Sequence, residues 1–361
     1  MAPKSTKETD LFGLYVHWPY CLHKCPYCDF ASTVCQHPDE ELLIKTYVRD
    51  MNFFADSRPL TSLFFGGGTP SLMRLSFFEK LIDEICKHYT FAPDIEISME
   101  VNPDTVDKKK LQGFKEFGIN RLSIGVQALN DKDLHFLGRT HNATRAMQCI
   151  KEAQEIFDNI SIDLIYARPK QSLKAWEKEL TQALKFNLPH YSLYQLTIEE
   201  NTVFEKRGQT PATDTQARRL YKLTDDIMNT AHKCAYEVSN YALKGFECRH
   251  NMTYWLGKDY IGIGPAAHGR LRLTATTNAR SVTAWVKTPP ALENLTQHQR
   301  HLERLLMGLR LLQHSFPANQ LCPQKIQQAL QKGWIQNTKD GILPTQKGIL
   351  MLNQLVLLLA D

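Results

Sequence analysis

The chain has 361 residues, a formal net charge of +5, 43% hydrophobic and 22% charged residues. That balance is globular, and the one dense basic run, Lys108 to Lys110, reads as a solvated helix face, so nucleic acid is not an expected partner. Nine cysteines, an odd number scattered over a long chain, argue against a disulfide framework and for a reducing cytoplasm. The first ten residues carry no apolar signal core, and the final apolar run "LVLLLA" is far shorter than the ~20 residues of a membrane span. Membrane contact is therefore expected to be peripheral at most.

In chain order, "LYVHW" reads as a strand and is followed by Cys21, Cys25 and Cys28 at C-x3-C-x2-C spacing. A helix is expected from Glu41 to Phe54, then strand "SLFF" and helix "SFFEKLIDEICKHY". "IEISMEV" precedes "KKKLQGFKEFG", "RLSIGVQ" precedes a long helical region ending near Phe157, "SIDLIY" precedes "LKAWEKELTQALKF", and "YSLYQL" closes the series. Six strand–helix units of this kind predict a parallel sheet wound with helices outside, an open or partial barrel short of eight units. Residues 1–200 are expected to form this core. Residues 201–295 form an extension carrying "HNMTYW" (His250 to Trp255), and 296–361 a mainly helical, winged-helix-like module with a turn or hairpin at "NTKDGILP".

Chemistry in such a sheet gathers at the carboxyl ends of the strands. The first expected strand ends in the three cysteines and the second in "GGGTP" (Gly66 to Pro70), whose glycines allow close backbone approach. The third carries Glu100, the fourth Gln127 and the fifth Asp163, with Arg139 on a following connection. Taken singly, each has a bland reading: a tight turn, a helix cap, or a zinc site lacking one ligand. Their recurrence along one edge of one sheet points to a shared site.

These motifs resemble the radical S-adenosylmethionine superfamily. The resemblance implies that Cys21, Cys25 and Cys28 hold a [4Fe–4S] cluster whose fourth iron takes the amino and carboxylate groups of S-adenosylmethionine, which an electron from the cluster then cleaves to a 5′-deoxyadenosyl radical. It further implies that Tyr27 packs by the adenine and that "GGGTP" receives the methionine amino group. "YVHWPYC", "CPYCDF", "FFGGGTP", "EVNP", "RLSIGVQ", "DLIY" and "HNMTYW" together are similar to the coproporphyrinogen oxidase-like branch, nearest the HemW-type haem chaperones. Carried over residue by residue, Tyr15, Gly67, Gly68, Thr69, Glu100, Gln127, Arg139 and Asp163 correspond to S-adenosylmethionine contacts, and Thr197 is a further candidate by offset. The two carboxylates suit a sulfonium and ribose hydroxyls, and Arg139 suits a carboxylate.

Two departures separate the chain from the oxidase itself. Phe30 stands where that enzyme has an additional cysteine, and only 13 residues precede Leu14, leaving no N-terminal arm. Both fit the haem chaperones, which bind haem and deliver it to haem-requiring apo-proteins and would need an electron donor for the cluster. On that reading His250 is the candidate haem residue, with Tyr254 and Trp255 offering flat faces; the bland reading is a histidine and aromatics packed at a domain junction. Cys248 and His268 are secondary candidates, and His17 and His23 are expected to pack or hydrogen-bond beside the cysteine loop. The alternatives are a radical enzyme acting on a tetrapyrrole and a structural zinc protein.

Overall fold

The computed structural model describes residues 11–360. Its core is the expected series of six strands: β1 (Phe12–Trp18), β2 (Leu60–Gly67), β3 (Phe91–Val101), β4 (Arg121–Gln127), β5 (Asn159–Tyr166) and β6 (His190–Gln195). Each pairs in parallel with the next. The helices between them are α1 (Glu40–Phe53), α2 (Leu75–His88), α3 (Lys108–Glu116), α4 (Ala143–Gln154) and α5 (Leu173–Leu184), with α6 (Asp214–Thr230) after β6. Their starts follow from local chemistry. Asp39, Asp107, Asn142, Ser172 and Thr213 each accept a backbone N–H of the first turn, relieving donors that no helical carbonyl reaches. β1 is buried almost throughout because helices cover one face and the barrel lumen the other, so it reads as a nearly continuous apolar run.

The 201–295 stretch continues the sheet at both edges. It adds β7 (Cys234–Ala235) and β8 (Asn240–Ala242) beside β6, and β9 (Asp259–Ile263), β10 (His268–Leu271), β11 (Thr274–Thr277) and β12 (Ala291–Asn294) beside β1. One sheet results, in the order β12-β11-β10-β9-β1-β2-β3-β4-β5-β6-β8-β7, with β9 parallel to β1. Between the two sets of added strands runs α7 (Arg249–Trp255), the "HNMTYW" segment.

A buried carboxylate fastens this stretch to the core. Asp50, on α1 and with no solvent exposure, accepts from Gly264 N (3.1 Å), Asn278 Nδ2 (3.0 Å) and Trp285 Nε1 (2.7 Å), and pairs with Arg49 (2.7 Å). Its donors supply the hydrogen bonds that a charge removed from water requires.

The C-terminal module has a core of its own, formed by Leu305, Leu309, Phe316, Ile335, Ile342, Leu355 and their neighbours. It comprises α8 (Gln297–Gly308), α9 (Pro323–Gln331), the antiparallel hairpin β13 (Ile335–Thr338)–β14 (Gly341–Pro344) and α10 (Leu352–Ala360). The hairpin falls at "NTKDGILP", as a wing. No helix among the described residues is long and apolar enough to cross a membrane.

Removing one partner from the Asp50 cluster strands the others in the interior. Asp50→Ala is expected to cost on the order of 3–5 kcal/mol, measured by denaturant unfolding. Asp50→Asn should cost less, because its amide oxygen still accepts.

Candidate functional site: a two-chambered barrel lumen

The carboxyl ends of the strands surround a cavity of about 450 Å³. Cys21, Cys25, Cys28, Tyr27, Gly67, Gly68, Thr69, Glu100, Gln127, Arg139, Asp163 and Thr197 all line it. The sequence therefore brings twelve of its candidates together. Tyr15 and His250 are elsewhere, in a second chamber of about 210 Å³ deeper in the lumen. The chambers share Glu100, Ser123, Asp163 and Tyr194 as a common wall.

The cysteine loop leaves β1 and returns along a two-residue parallel pairing, Tyr20–Cys21 with Thr33–Val34. The glycine loop packs against its base. Gly68 N donates to Trp18 O (2.7 Å) and Thr69 N to Tyr20 O (2.9 Å), while Thr69 Oγ1 lies 3.5 Å from Cys21 Sγ. A Cβ on Gly68 would sit 2.6 Å from Tyr20 O, so only glycine fits. The amides of Gly67, Gly68 and Thr69 are thus spent within the protein. An ammonium group needs acceptors in any case, and these are supplied nearby.

The principal acceptors are Glu100 and Asp163. Glu100 Oε2 accepts from Gly67 N (3.1 Å), and Asp163 Oδ1 from Ser123 Oγ (3.0 Å). Burial, and secondly the facing Asp163 charge, push the Glu100 carboxyl up to about 8. Burial likewise raises Asp163. Two buried acids on one wall form a site in which a cation would relieve both desolvation and mutual repulsion. Gln127 ends β4 with φ +68, a left-handed conformation unusual outside glycine, just after a register shift in the β4–β5 pairing. Thr197 lines the same cavity and donates to Glu199 Oε1 (2.6 Å).

Arg139 donates through Nη2 to Gly125 O (3.0 Å) and through Nη1 towards Cys25 Sγ (3.6 Å). Tyr27 packs on Phe204 at the cavity edge. Phe30 is 56% exposed on the cysteine loop. Among the described residues, no three His, Cys, Asp or Glu side chains converge as ligands of one metal ion would. Three thiols at a cavity mouth beside two buried carboxylates fit a wider cluster and a cationic ligand.

His250 lies in the inner chamber rather than in the cavity at the strand ends. It is 1% exposed, its Nδ1 lies 2.9 Å from Ser62 Oγ and its Nε2 2.6 Å from Tyr254 Oη. Burial, with Arg121 second, brings it down to about 3, so it is neutral with both nitrogens engaged. Tyr15 and Phe64 stack on it. Both ring nitrogens therefore have hydrogen-bond partners in this arrangement. The cause is distant: Glu96, on β3, accepts from Arg249 N (3.0 Å) and His250 N (3.2 Å), capping α7 and fixing it as the floor of the lumen. Cys248 is fully buried and donates to the same carboxylate (3.5 Å). His268 sits on β10, with its Nδ1 3.2 Å from Thr277 Oγ1. His17 hydrogen-bonds beside the cysteine loop as expected, through Nε2 to Ala31 O (2.8 Å). His23 lines the cavity mouth.

Arg121, Ser123 and Tyr194 were not singled out from the sequence. The alternation of β4 and β6 would have found two of them, because Ser123 lies two and four residues before Gly125 and Gln127, and Tyr194 two after Ser192. Nothing local marks Arg121, which is 2% exposed with its Nε buried without a partner.

A partial six-stranded barrel with three cysteines on the loop after its first strand, a glycine loop after its second and acids on its third and fifth defines a radical SAM protein. The family model for the radical SAM superfamily matches residues 15–183. A relative described as heme chaperone HemW, from Buchnera aphidicola of Acyrthosiphon pisum, is 35% identical, over 95% of this chain and 97% of its own length. The protein of that description from Haemophilus influenzae is 34% identical, over 95% and 96%. Among solved structures, coproporphyrinogen III oxidase from Escherichia coli matches with a TM-score of 0.82 over 97% of this chain and 90% of its own, at 18% identity, a likeness of fold. The chain belongs to the HemW family of the radical SAM superfamily.

Two outcomes follow from this geometry. Glu100 keeps its proton to about pH 8 when folded and loses it near its ordinary 4.5 when unfolded. The folded state binds more protons in between, so stability should fall as pH rises from 5 to 8 and level off above. Thermal melts across that range should show the slope in the wild type and a reduced one in Glu100→Gln. His250→Ala, which strands Ser62 and Tyr254, should destabilise by on the order of 3 kcal/mol in urea unfolding.

Proposed function

We propose that this protein is a haem chaperone that holds a [4Fe–4S] cluster on Cys21, Cys25 and Cys28, binds S-adenosylmethionine in the same cavity, and passes haem to haem-requiring apo-proteins. The observation that carries the reading is likeness over nearly the whole length to relatives described as heme chaperones. The cavity supports the cofactor half. Glu100 and Asp163 would neutralise the sulfonium and ammonium charges, and the N–H fork of Arg139 would hold the carboxylate. The glycine loop would let the ligand approach the cysteine loop closely. When bound, the cluster and S-adenosylmethionine would supply one-electron reduction of a sulfonium, fed by a protein electron donor. Nine free thiols support residence in a reducing compartment, the cytoplasm on this reading.

The proposal does not use His250 as a haem ligand, since its bonds to Ser62 and Tyr254 would first have to break. A second reading, an oxygen-independent coproporphyrinogen oxidase-like enzyme, draws on the shared fold. Phe30, exposed where that enzyme has another cysteine, weighs against it.

Anaerobic reconstitution tests the cofactor half. Cys25→Ala should lose the four-iron signal, whereas Cys86→Ala should keep it. Haem titration beside a coproporphyrinogen turnover assay tests the rest: stoichiometric haem binding, transfer to an apo-protein and no carbon dioxide release are expected. Turnover without haem binding would reverse the order of the two readings.

A further inference from the structure

Arg139 stands between the two groups this cavity is read to hold. Its position is built rather than incidental. Gly138 has φ +67, and a Cβ there would come within 2.4 Å of Pro26 Cδ, so this connection lies directly against the cysteine loop. Cys25 Sγ approaches Gly138 O at 3.7 Å, and Arg139 Nη1 returns to Cys25 Sγ at 3.6 Å. The bond from Nη2 to Gly125 O fixes the guanidinium to the end of β4. The Tyr27 hydroxyl is a third hydrogen-bond partner. A guanidinium has five N–H donors, so donors remain beyond these three contacts, on a side chain that lines the cavity. Lys24, the cation next to Cys25 in sequence, is instead turned onto the carbonyls of Phe30 (3.0 Å) and Ser32 (3.4 Å).

We infer that Arg139 is a positioning residue that ties the cluster's redox potential to occupancy of the S-adenosylmethionine site, one guanidinium holding a cluster sulfur and the ligand carboxylate together. This rests on the reading of Cys25 as a cluster ligand. A positive charge and an N–H bond at a coordinating sulfur favour the more negative, reduced cluster and so raise its potential. A carboxylate on the same guanidinium offsets part of that charge and lowers the potential again. By reciprocity, the carboxylate ligand binds more tightly to the oxidised protein. The coupling needs no bond to form or break, only one cation shared by two anionic partners.

The test is a redox titration followed by electron paramagnetic resonance on anaerobically reconstituted wild type, Arg139→Gln and Arg139→Lys. Each is measured with and without S-adenosylhomocysteine, a probe that carries the carboxylate but no sulfonium to cleave, and iron and sulfide are assayed in parallel. Full iron is expected in all three proteins. Arg139→Gln should have a more negative potential and a smaller shift on adding the probe. Arg139→Lys should recover most of the potential while binding the probe about tenfold more weakly, since a point charge lacks the planar fork. An unchanged potential in a fully loaded Arg139→Gln protein overturns the inference. So does loss of iron from both variants, which would make Arg139 a strut for the loop. A wild-type protein with no four-iron signal would instead overturn the cofactor reading beneath it.

Discussion

A single carboxylate determines what the barrel lumen contains. Glu96 takes the backbone N–H groups of Arg249 and His250 and the thiol of Cys248, and so anchors α7 across the bottom of an open six-stranded sheet. α7 has no side-chain cap of its own, so its free N–H groups would otherwise be buried unpaired. With the cap made, His250 and Tyr254 face inward and close the floor beneath Tyr15 and Phe64. A complete eight-stranded barrel fills its interior with branched apolar side chains. Here the interior is left polar and hollow.

That hollow is an arrangement of groups whose charges depend on what enters. Glu100 and Asp163 are pushed towards neutrality by burial, His250 is held neutral by it, and Arg121 stays charged close by. The acids face both chambers, so a cation arriving from the cysteine side alters the electrostatics of the inner chamber as well. A positive ligand would therefore relieve the desolvation of both acids.

Much of this was legible in the sequence wherever the signal is local. The six strand–helix units follow from short-range periodicity and N-cap residues. The cysteine spacing, the glycine run and the strand-end acids sit within a few residues of the elements that carry them. What could not be read depends on long-range pairing. The long-range donors to Asp50 come from positions more than 210 residues later, and those to Glu96 from about 150 later. Neither acid has a local pattern that marks it as an anchor. For the same reason the sequence does not reveal that strands of the 201–295 stretch continue both edges of the sheet. The residue type of His250 can be read from sequence, whereas its placement in the inner chamber depends on the cap of a seven-residue helix.

The "HNMTYW" segment also reaches the cysteine loop indirectly. The ring of His250 lies over Tyr15, whose hydroxyl is 3.0 Å from His17 Nδ1. The other ring nitrogen, Nε2, meets Ala31 O at 2.8 Å, and a carbonyl only accepts, so Nε2 carries the proton. His17, lowered by burial, is neutral; Nδ1 therefore accepts from the Tyr15 hydroxyl, and the direction of every bond is fixed. A continuous line of contacts runs from the α7 floor, through β1, to the loop bearing Cys28 and Phe30. The "HNMTYW" segment then constrains the cysteine site from behind, through packing and hydrogen bonding.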